Sequence, residues 1–342
     1  MKLDYNELMQ QNQDTITAMT TLYRLRTLKE QEIIKIFEEI DTKLLKTNTL
    51  MPNDIISAII TASKYNNKYF KSYWILFKLF YEKYHPKQIF CISNIFDYFV
   101  YKEYGIVFDE FTKGKIDDFE SKNYSMDIHE ENTIYRAVMN DDKDSFIVFI
   151  ESEGFDRNQE LNSDFYPYRL SLLELCCYHG AVNCFKLLRT KFNSEITREC
   201  LQLSFLSGVP DIVNECLKFH EPDYGCMRNA VISHNIDFVT FLTYEHNLEI
   251  DYGYSCRYFN LHALFVYLDQ IGDINGSFVN SVWFNMPSLC DYFLSHGVDI
   301  NAKDNRGRTA LHLAARINKK EIAEFLILHG ANIKGAPVCT FI

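Results

Sequence analysis

The chain has 342 residues, of which 47% are hydrophobic, and its formal net charge is −11. It is long enough for two or three domains or one long solenoid, and the scarcity of punctuating residues (13 glycines and 7 prolines) is typical of a mostly helical protein. The acidic balance disfavours general binding to nucleic-acid backbones, so no nucleic-acid partner is expected.

The N-terminal 112 residues predict a helical region. Residues 3–46 suggest two helices joined near Arg26–Thr27, because Leu25, Ile33 and Phe37 help to form an apolar stripe at helical spacing. Three further helices are predicted: one that begins at Pro52, an aromatic one over Tyr69–Tyr84 that ends before Pro86, and one over Ile89–Tyr104.

Lysines and aromatic residues alternate along the basic aromatic helix 64–87, which has two interpretations. It could bind anionic lipid or single-stranded nucleic acid, or it could pack an aromatic face against the core and expose its lysines. The acidic net charge and the spacing of Lys64, Lys68 and Lys71 favour packing. No membrane-spanning run is present, since the richest stretch, Tyr73–Tyr81, is short and contains Lys78.

Residues 113–131 are polar and predict a linker, after which repeats begin at Asn132. The acidic cluster Asp141, Asp142 and Asp144 lacks the glycine and distal glutamate of a calcium loop. We therefore interpret it as a solvated junction that caps a helix.

Small polar residues or glycines recur between pairs of predicted helices. The junctions are placed at Asp141, Gly180, Gly208, His234, Asn260, Asn285 and Asn318. Most are only 25–28 residues apart, about the length of two short helices with their connections. The shorter units are thus expected to lack a hairpin, which is predicted only near Asn301–Arg308 and, in altered form, between Glu151 and Leu170.

The last forty residues carry the clearest motif. Six positions match a turn, a Thr-x-Leu-His-x-Ala helix start and a helix end: Thr309, Leu311, His312, Ala314, Ala315 and Gly330. The segment strongly resembles one ankyrin repeat. The resemblance implies an all-α fold, an ankyrin-type α-solenoid of helix pairs preceded by an N-terminal helical bundle. The repeats would span 132–335, degenerate over 132–275 and more regular over 276–335, followed by a tail at 336–342.

The layout is also similar to an expanded family of ankyrin proteins in trichomonad protists, which has a helical N-terminal region and degenerate early repeats. Segments that carry this likeness include Tyr101–Gly105, Ser171–Gly180 and His234–Leu242. The resemblance implies a non-enzymatic interaction role. Thr309 and His312 are accordingly interpreted as structural, with local hydrogen bonds at a helix start.

Four of the ten cysteines, Cys176, Cys177, Cys184 and Cys290, occupy positions equivalent to core residues of the last repeat. Cysteine there acts as a small apolar side chain, so we expect neither a metal nor a cofactor. Although His179 and Glu174 lie near Cys176 and Cys177, core packing is favoured over a thiol-protease or zinc site. A reducing compartment is expected, the cytoplasm or alternatively the nucleus.

Proteins of this class bind partners through hairpin tips and the first helices. The expected partner-binding residues are Lys303, Asp304, Asn305, Arg306, Arg308 and Arg316. Arg306 and Arg308 are the preferred contacts, since a guanidinium pairs bidentately with a carboxylate. In the last helix, Phe325–Leu328 are consecutive apolar residues, at least two of which must face outward. Self-association through this last repeat is a further expectation.

The sequence therefore predicts a protein–protein interaction module, an ankyrin-repeat adaptor or scaffold with unknown protein partners. The alternative is a membrane-associated adaptor that uses helix 64–87 or a lipidated Cys339, although the last four residues match a prenylation motif poorly. An enzyme is not expected, because no spacing brings titratable residues together in a pattern typical of an active site.

Overall fold

The computed structural model describes residues 4–89, 92–271, 273–304 and 306–333. The described chain forms two compact units. Unit 1 draws on residues 1–21, 35–55 and 249–342, and unit 2 on residues 22–34 and 56–248. Residues of the predicted N-terminal region 1–112 therefore belong to both units. The predicted boundaries themselves stay a prediction, and the predicted tail 336–342 lies outside the described residues.

The N-terminal region is helical, as predicted. Its elements are α1 (Tyr5–Gln11), α2 (Gln13–Tyr23), α3 (Glu30–Ile40) continued by a π-helical turn (Asp41–Leu45), α4 (Pro52–Tyr65), a 3₁₀ turn (Asn67–Tyr69), α5 (Phe70–Tyr84) and α6 (Asn94–Tyr104). The predicted join near Arg26–Thr27 is confirmed. The first predicted helix is instead two helices, which meet at Asn12, whose side-chain amide donates to the carbonyl of Leu8 at 2.9 Å.

The aromatic residues of α5 form a core within unit 2. Phe70, Tyr73, Trp74 and Phe77 are buried, and the ring of Phe77 lies 5.0 Å from that of Phe96 on α6. Each such side chain contributes roughly 1.5–3 kcal/mol through burial. The packing interpretation of this helix is thus confirmed for its aromatic face.

The predicted linker 113–131 is more ordered than its composition indicates. After α7 (Glu110–Lys113), it contains α8 (Ile116–Ser121). The ring of Phe119 is buried and lies 5.7 Å from that of Tyr98. The buried ring of Phe119 packs α8 against the helical region. The segment is therefore a structured connection and not an extended linker.

From residue 134 the described chain consists of paired helices. The pairs in unit 2 are α9 (Ile134–Asn140) with α10 (Lys143–Ile150), α11 (Leu172–His179) with α12 (Val182–Phe192), α13 (Arg198–Ser207) with α14 (Pro210–Cys216), and α15 (Tyr224–Ile232) with α16 (Ile236–Tyr244). The pairs in unit 1 are α17 (Tyr252–Arg257) with α18 (Leu261–Ile271), α19 (Ile274–Ser281) with α20 (Pro287–Ser295), and α21 (Ala310–Arg316) with α22 (Lys320–Leu328).

Within each unit these pairs are filed side by side. In unit 2, α11 packs against both α9 and α13, and α13 also packs against α15. In unit 1, α19 packs against α17 and α21, while α20 packs against α22. Each pair buries its apolar face against its neighbours, which is the packing of a helical solenoid.

The junctions between paired helices share one backbone conformation. Six of the seven predicted junction residues have positive φ, from His234 at 51° to Gly208 at 73°. At the seventh, the residue with positive φ is Phe259, one position before Asn260. Pro210 and Pro287 then begin α14 and α20 at the first turn, where a missing N–H leaves no helical bond unmade.

Hairpin pairing occurs at the two predicted places. Strands β1 (Glu160–Leu161) and β2 (Leu170–Ser171) pair in antiparallel fashion, and Lys303 forms an antiparallel bridge with Thr309. Among the described residues, no bridge lies between α12 and α19. The short units therefore consist of helix pairs without a hairpin, as their length predicts.

In unit 1, a buried carboxylate ties the start of α4 to two repeat junctions. The side chain of Asp54 is 4% exposed, and its Oδ1 lies 2.6 Å from Nζ of Lys319. Its Oδ2 accepts a hydrogen bond of 3.0 Å from the side-chain amide of Asn285. Asn285 ends the 3₁₀ turn Val282–Phe284, and Lys319 precedes α22, so one carboxylate holds both loops.

Replacing Asp54 with alanine is expected to lower the unfolding free energy by about 2–4 kcal/mol, because a mostly buried ammonium group loses its counter-charge. Urea unfolding followed by circular dichroism measures the change. The control is Asp14→Ala, since the Asp14–Lys43 pair is exposed and is expected to contribute under about 1 kcal/mol. Equal losses in the two variants would contradict a structural role for Asp54.

Candidate protein-interaction surface

The motif residues of the last repeat have structural positions. Thr309 caps α21, where its Oγ1 accepts from the backbone amide of His312 at 3.3 Å and shares a 2.6 Å hydrogen bond with Nδ1 of that histidine. Leu311, Ala314 and Ala315 are buried, and the backbone of Gly330 has a φ of 93°. Thr309 and His312 thus form the local hydrogen bonds at a helix start that their structural interpretation expects.

The hairpin before α21 is closed by Asp304, which the sequence placed among the partner-binding residues. Asp304 is buried, and its carboxylate accepts hydrogen bonds from the backbone amides of Arg306 and Arg308. The guanidinium of Arg308 also pairs with it at 2.6 Å. Burial raises the pKa of Asp304, but the bonds from Arg308 and the two amides outweigh it, so its pKa lies below the usual value.

This geometry corrects part of the expected binding surface. Asp304 and Arg308 hold the turn together, so neither presents a free charge to a partner. The reason is local: the i,i+4 spacing lets the arginine fold back on the aspartate. Arg308, one of the two preferred contacts, is therefore engaged inside the hairpin.

Three of the predicted cations remain available. Lys303, Arg306 and Arg316 are exposed, and none has an ion-pair partner among the residues that the structure describes. Lys303 and Arg306 lie in the hairpin, and Arg316 ends α21, which at 1.5 Å per residue extends on the order of 10 Å from it. Asn305, the remaining predicted residue, lies outside the described residues.

The apolar residues of α22 divide as predicted. Leu326 is fully buried, whereas Ile327 is 41% exposed and Leu328 is 84% exposed. The following Ile333 is 63% exposed. Two of the four consecutive apolar side chains therefore face outward.

The residues elsewhere that the sequence analysis considered for catalysis or metal binding take part in packing or helix capping. Cys176 and Cys177 are buried, and burial raises the pKa of both thiols well above the usual value. No group of three or more metal-ligating side chains occurs in the described part of the chain. The Asp141 carboxylate accepts from the backbone amides of Asn183 and Cys184 at 2.9 and 3.0 Å, so it caps the next repeat's second helix, α12.

The structure also reveals a polar triad that the sequence analysis missed. The hydroxyl of Tyr166 lies 2.8 Å from Nε2 of His129 and 2.8 Å from Nε2 of His179. A neutral tyrosine can donate to one ring and accept from the other. Burial and the Arg136 cation lower the pKa of His129 to about 4, and burial also lowers that of His179.

The membrane alternative gains no support from the described residues. None of their helices is long and apolar enough to cross a bilayer. The aromatic side chains of Phe70, Tyr73, Trp74 and Phe77 are buried. Lys71 and Lys78 pair with Asp127 and Glu103. Cys339 lies outside the described residues.

Comparisons with known proteins match two segments of the chain. Residues 192–267 match a family described as a domain of unknown function (DUF3447), and residues 281–327 match the model of ankyrin repeats (many copies). The chain thus contains ankyrin repeats, a fold that typically serves non-enzymatic protein–protein binding. No curated protein matches the chain.

Two solved structures are similar at low identity. The ankyrin repeat domain of human ASB11 has 17% identity and a TM-score of 0.42, over 60% of this chain and 99% of that one. The ankyrin repeat domain of Bcl-3, described as a unique member of the IkappaB protein family, has 18% identity and a TM-score of 0.26, over 60% of this chain and 89% of that one.

The His129–Tyr166–His179 triad predicts a pH-dependent stability. Because the pKa of folded His129 (about 4) lies below the ordinary 6.5, the unfolded state takes up a proton first as pH falls. The contribution is complete above pH 6.5 and is lost between 6.5 and about 4. The loss of unfolding free energy over this range amounts to roughly 3 kcal/mol.

Urea midpoints measured from pH 7 to 4.5 should therefore fall less steeply in His129→Gln than in the wild type. His85→Asn is the control, because His85 is exposed and asparagine tolerates its positive φ. A slope unchanged by His129→Gln would refute the role of this histidine.

Proposed function

We propose that this protein is a non-enzymatic adaptor or scaffold that binds an acidic segment of a partner protein through the cations of its last repeat. The binding surface comprises Lys303, Arg306 and Arg316. What supports it is that these three side chains are exposed and unpaired among the described residues, although the protein carries a net charge of −11. The ankyrin match over 281–327 contains all three residues.

A contact of this kind depends on several charges acting together. One exposed ion pair contributes only about 0–1 kcal/mol, and salt screens it further. Guanidinium groups improve on this because they can form two parallel hydrogen bonds with one carboxylate. Binding is therefore expected to weaken as the salt concentration rises.

Charge reversal tests the proposal in the native cell. Arg306→Glu combined with Arg316→Glu should abolish proximity labelling of the direct partner and lower its affinity at least about tenfold, because attraction becomes repulsion. The measurement is labelling followed by a binding titration with the partner so identified. Lys35→Glu is the control, since Lys35 is an exposed cation on α3. Partner binding equal to that of the wild type in the double variant would contradict the proposal.

Self-association through α22 stays a prediction, which the exposure of Ile327 and Leu328 favours. Light scattering of the purified protein should show a dimer that Ile327→Lys with Leu328→Lys converts to a monomer. Control substitution of the exposed Lys35 should leave the dimer intact. A monomeric wild type at micromolar concentration would contradict self-association through α22.

We propose that the protein resides in a reducing compartment, in the cytoplasm or alternatively the nucleus. The support is that the eight described cysteines are all buried and unbridged. Imaging of a fluorescently tagged chain tests the location. The likeness to the trichomonad family also stays a proposal, supported by the succession of short helix pairs and one regular repeat.

A further inference from the structure

Unit 2 contains a cleft of about 240 Å³ where N-terminal segments meet the ends of three repeat helices. One wall is formed by the segment after α2 and by the connection between α4 and α5. The other is formed by the C-terminal ends of α11, α13 and α15 and the junctions that follow them. Residues from these walls include Tyr69, Asn66, His179, Ser207 and Asn235.

Three cations line this cleft: Arg24, Arg26 and Lys68. The two arginines are exposed, and Lys68 is partly buried. None of the three has an ion-pair partner among the described residues. The protein has a net charge of −11, so its surface offers many carboxylates, yet in the part of the chain that the structure describes these three cations of the cleft are left without one.

The surroundings of Lys68 compensate its charge only in part. Burial lowers the pKa of Lys68, Asp141 raises it, and Arg136 and Arg26 lower it further, so it lies below the usual value. The Asp141 carboxylate is bound to the amides that begin α12, and it forms no ion pair with Lys68. A bound anion would supply the missing counter-charge.

Several neutral donors of the cleft are already used. The side-chain amide of Asn66 donates to the carbonyl of Leu25 at 2.8 Å, and the hydroxyls of Ser207 and Ser233 donate to carbonyls in their own helices. These bonds shape the walls. The donors left to face a ligand there include the charged groups of Arg24, Arg26 and Lys68.

The cleft keeps its shape through a glycine junction. Gly180 has a φ of 70°, and a Cβ built there would lie 2.6 Å from Cγ2 of Val209 in the next junction. Any larger residue at position 180 would displace Val209 within the wall that the repeat junctions form. This close approach is possible because α11 and α13 are neighbours in the row.

We propose that this cleft binds a phosphoryl group, held by the guanidinium groups of Arg24 and Arg26 and the ammonium group of Lys68. Two guanidinium groups match the tetrahedral oxygens of a phosphoryl group through paired hydrogen bonds. With three cations, the site suits a dianion better than a single carboxylate. The volume lies below the roughly 300–1,000 Å³ of sites for drug-sized ligands, so it fits one charged head group.

The phosphoryl group could come from a small molecule or from a phosphorylated side chain, and calorimetric titration of the full chain distinguishes the two. The probes are inorganic phosphate, a phosphoserine peptide and its unphosphorylated form. Binding of both phosphorylated probes with similar affinity indicates a small-molecule source, and binding at least tenfold tighter to the peptide indicates a protein source. Binding of the unphosphorylated peptide, or of malonate, as tightly as phosphate would overturn the proposal.

Arg26→Ala and Lys68→Met should each weaken binding about tenfold or more, since each removes a charged hydrogen bond. Lys35→Met is the control and should bind as the wild type does. Because Lys68 is partly buried, Arg24→Ala with Arg26→Ala provides a second variant on exposed positions. Phosphate should also protect Lys68 from acetylation. The site would be refuted if the wild type showed no saturable binding of phosphate. It would also be refuted if Lys68→Met and the Arg24→Ala/Arg26→Ala double variant bound phosphate as tightly as the wild type.

Discussion

A helix pair of this kind buries its apolar side only against another pair, and the structure depends on that constraint. The chain must therefore reverse its direction within a few residues, so that the second helix of each pair packs beside the first. A single residue in the left-handed region does this at each junction, and aspartate, asparagine or glycine occupies most of these positions because they tolerate it. Carboxylate side chains further stabilise the connections between helices. Asp141 caps a helix of the next repeat in unit 2, and Asp54 holds two loops in unit 1.

The junctions could be predicted from the sequence because their cause is local. A small polar residue or glycine between two apolar helical stripes indicates a left-handed backbone conformation at that same residue, without any information from distant parts of the chain. The single displacement, to Phe259, arises where the junction residue is aromatic and the polar Asn260 follows it. The hairpins near 160–171 and 303–309 were predictable for a similar reason. Where the chain between helices is longer than a short loop requires, the additional residues form a hairpin.

The contacts between residues distant in sequence could not be found in this way. Asp54 and Lys319 are 265 residues apart in sequence, and Tyr166 reaches His129 across 37. No spacing or motif connects such pairs. At the hairpin the sequence pattern has two interpretations, because Asp304 and Arg308 are four residues apart, a spacing that allows a local ion pair as readily as a contact with a partner. Predicting exposure of Lys303, Arg306 and Arg316 needed only the position of the repeat.

The buried thiols of unit 2 give the array a chemical reporter. Cys177, Cys200 and Cys216 lie on three helices, α11, α13 and α14, and none is reachable while neighbouring pairs stay closed. An alkylating reagent can modify them only when a pair separates from its neighbour, so the modification rate follows local opening rather than intrinsic thiol reactivity. Cys256 and Cys290 would report in the same way on unit 1. The spread of rates within each unit would thus show whether its row of helix pairs opens from one end or as a whole.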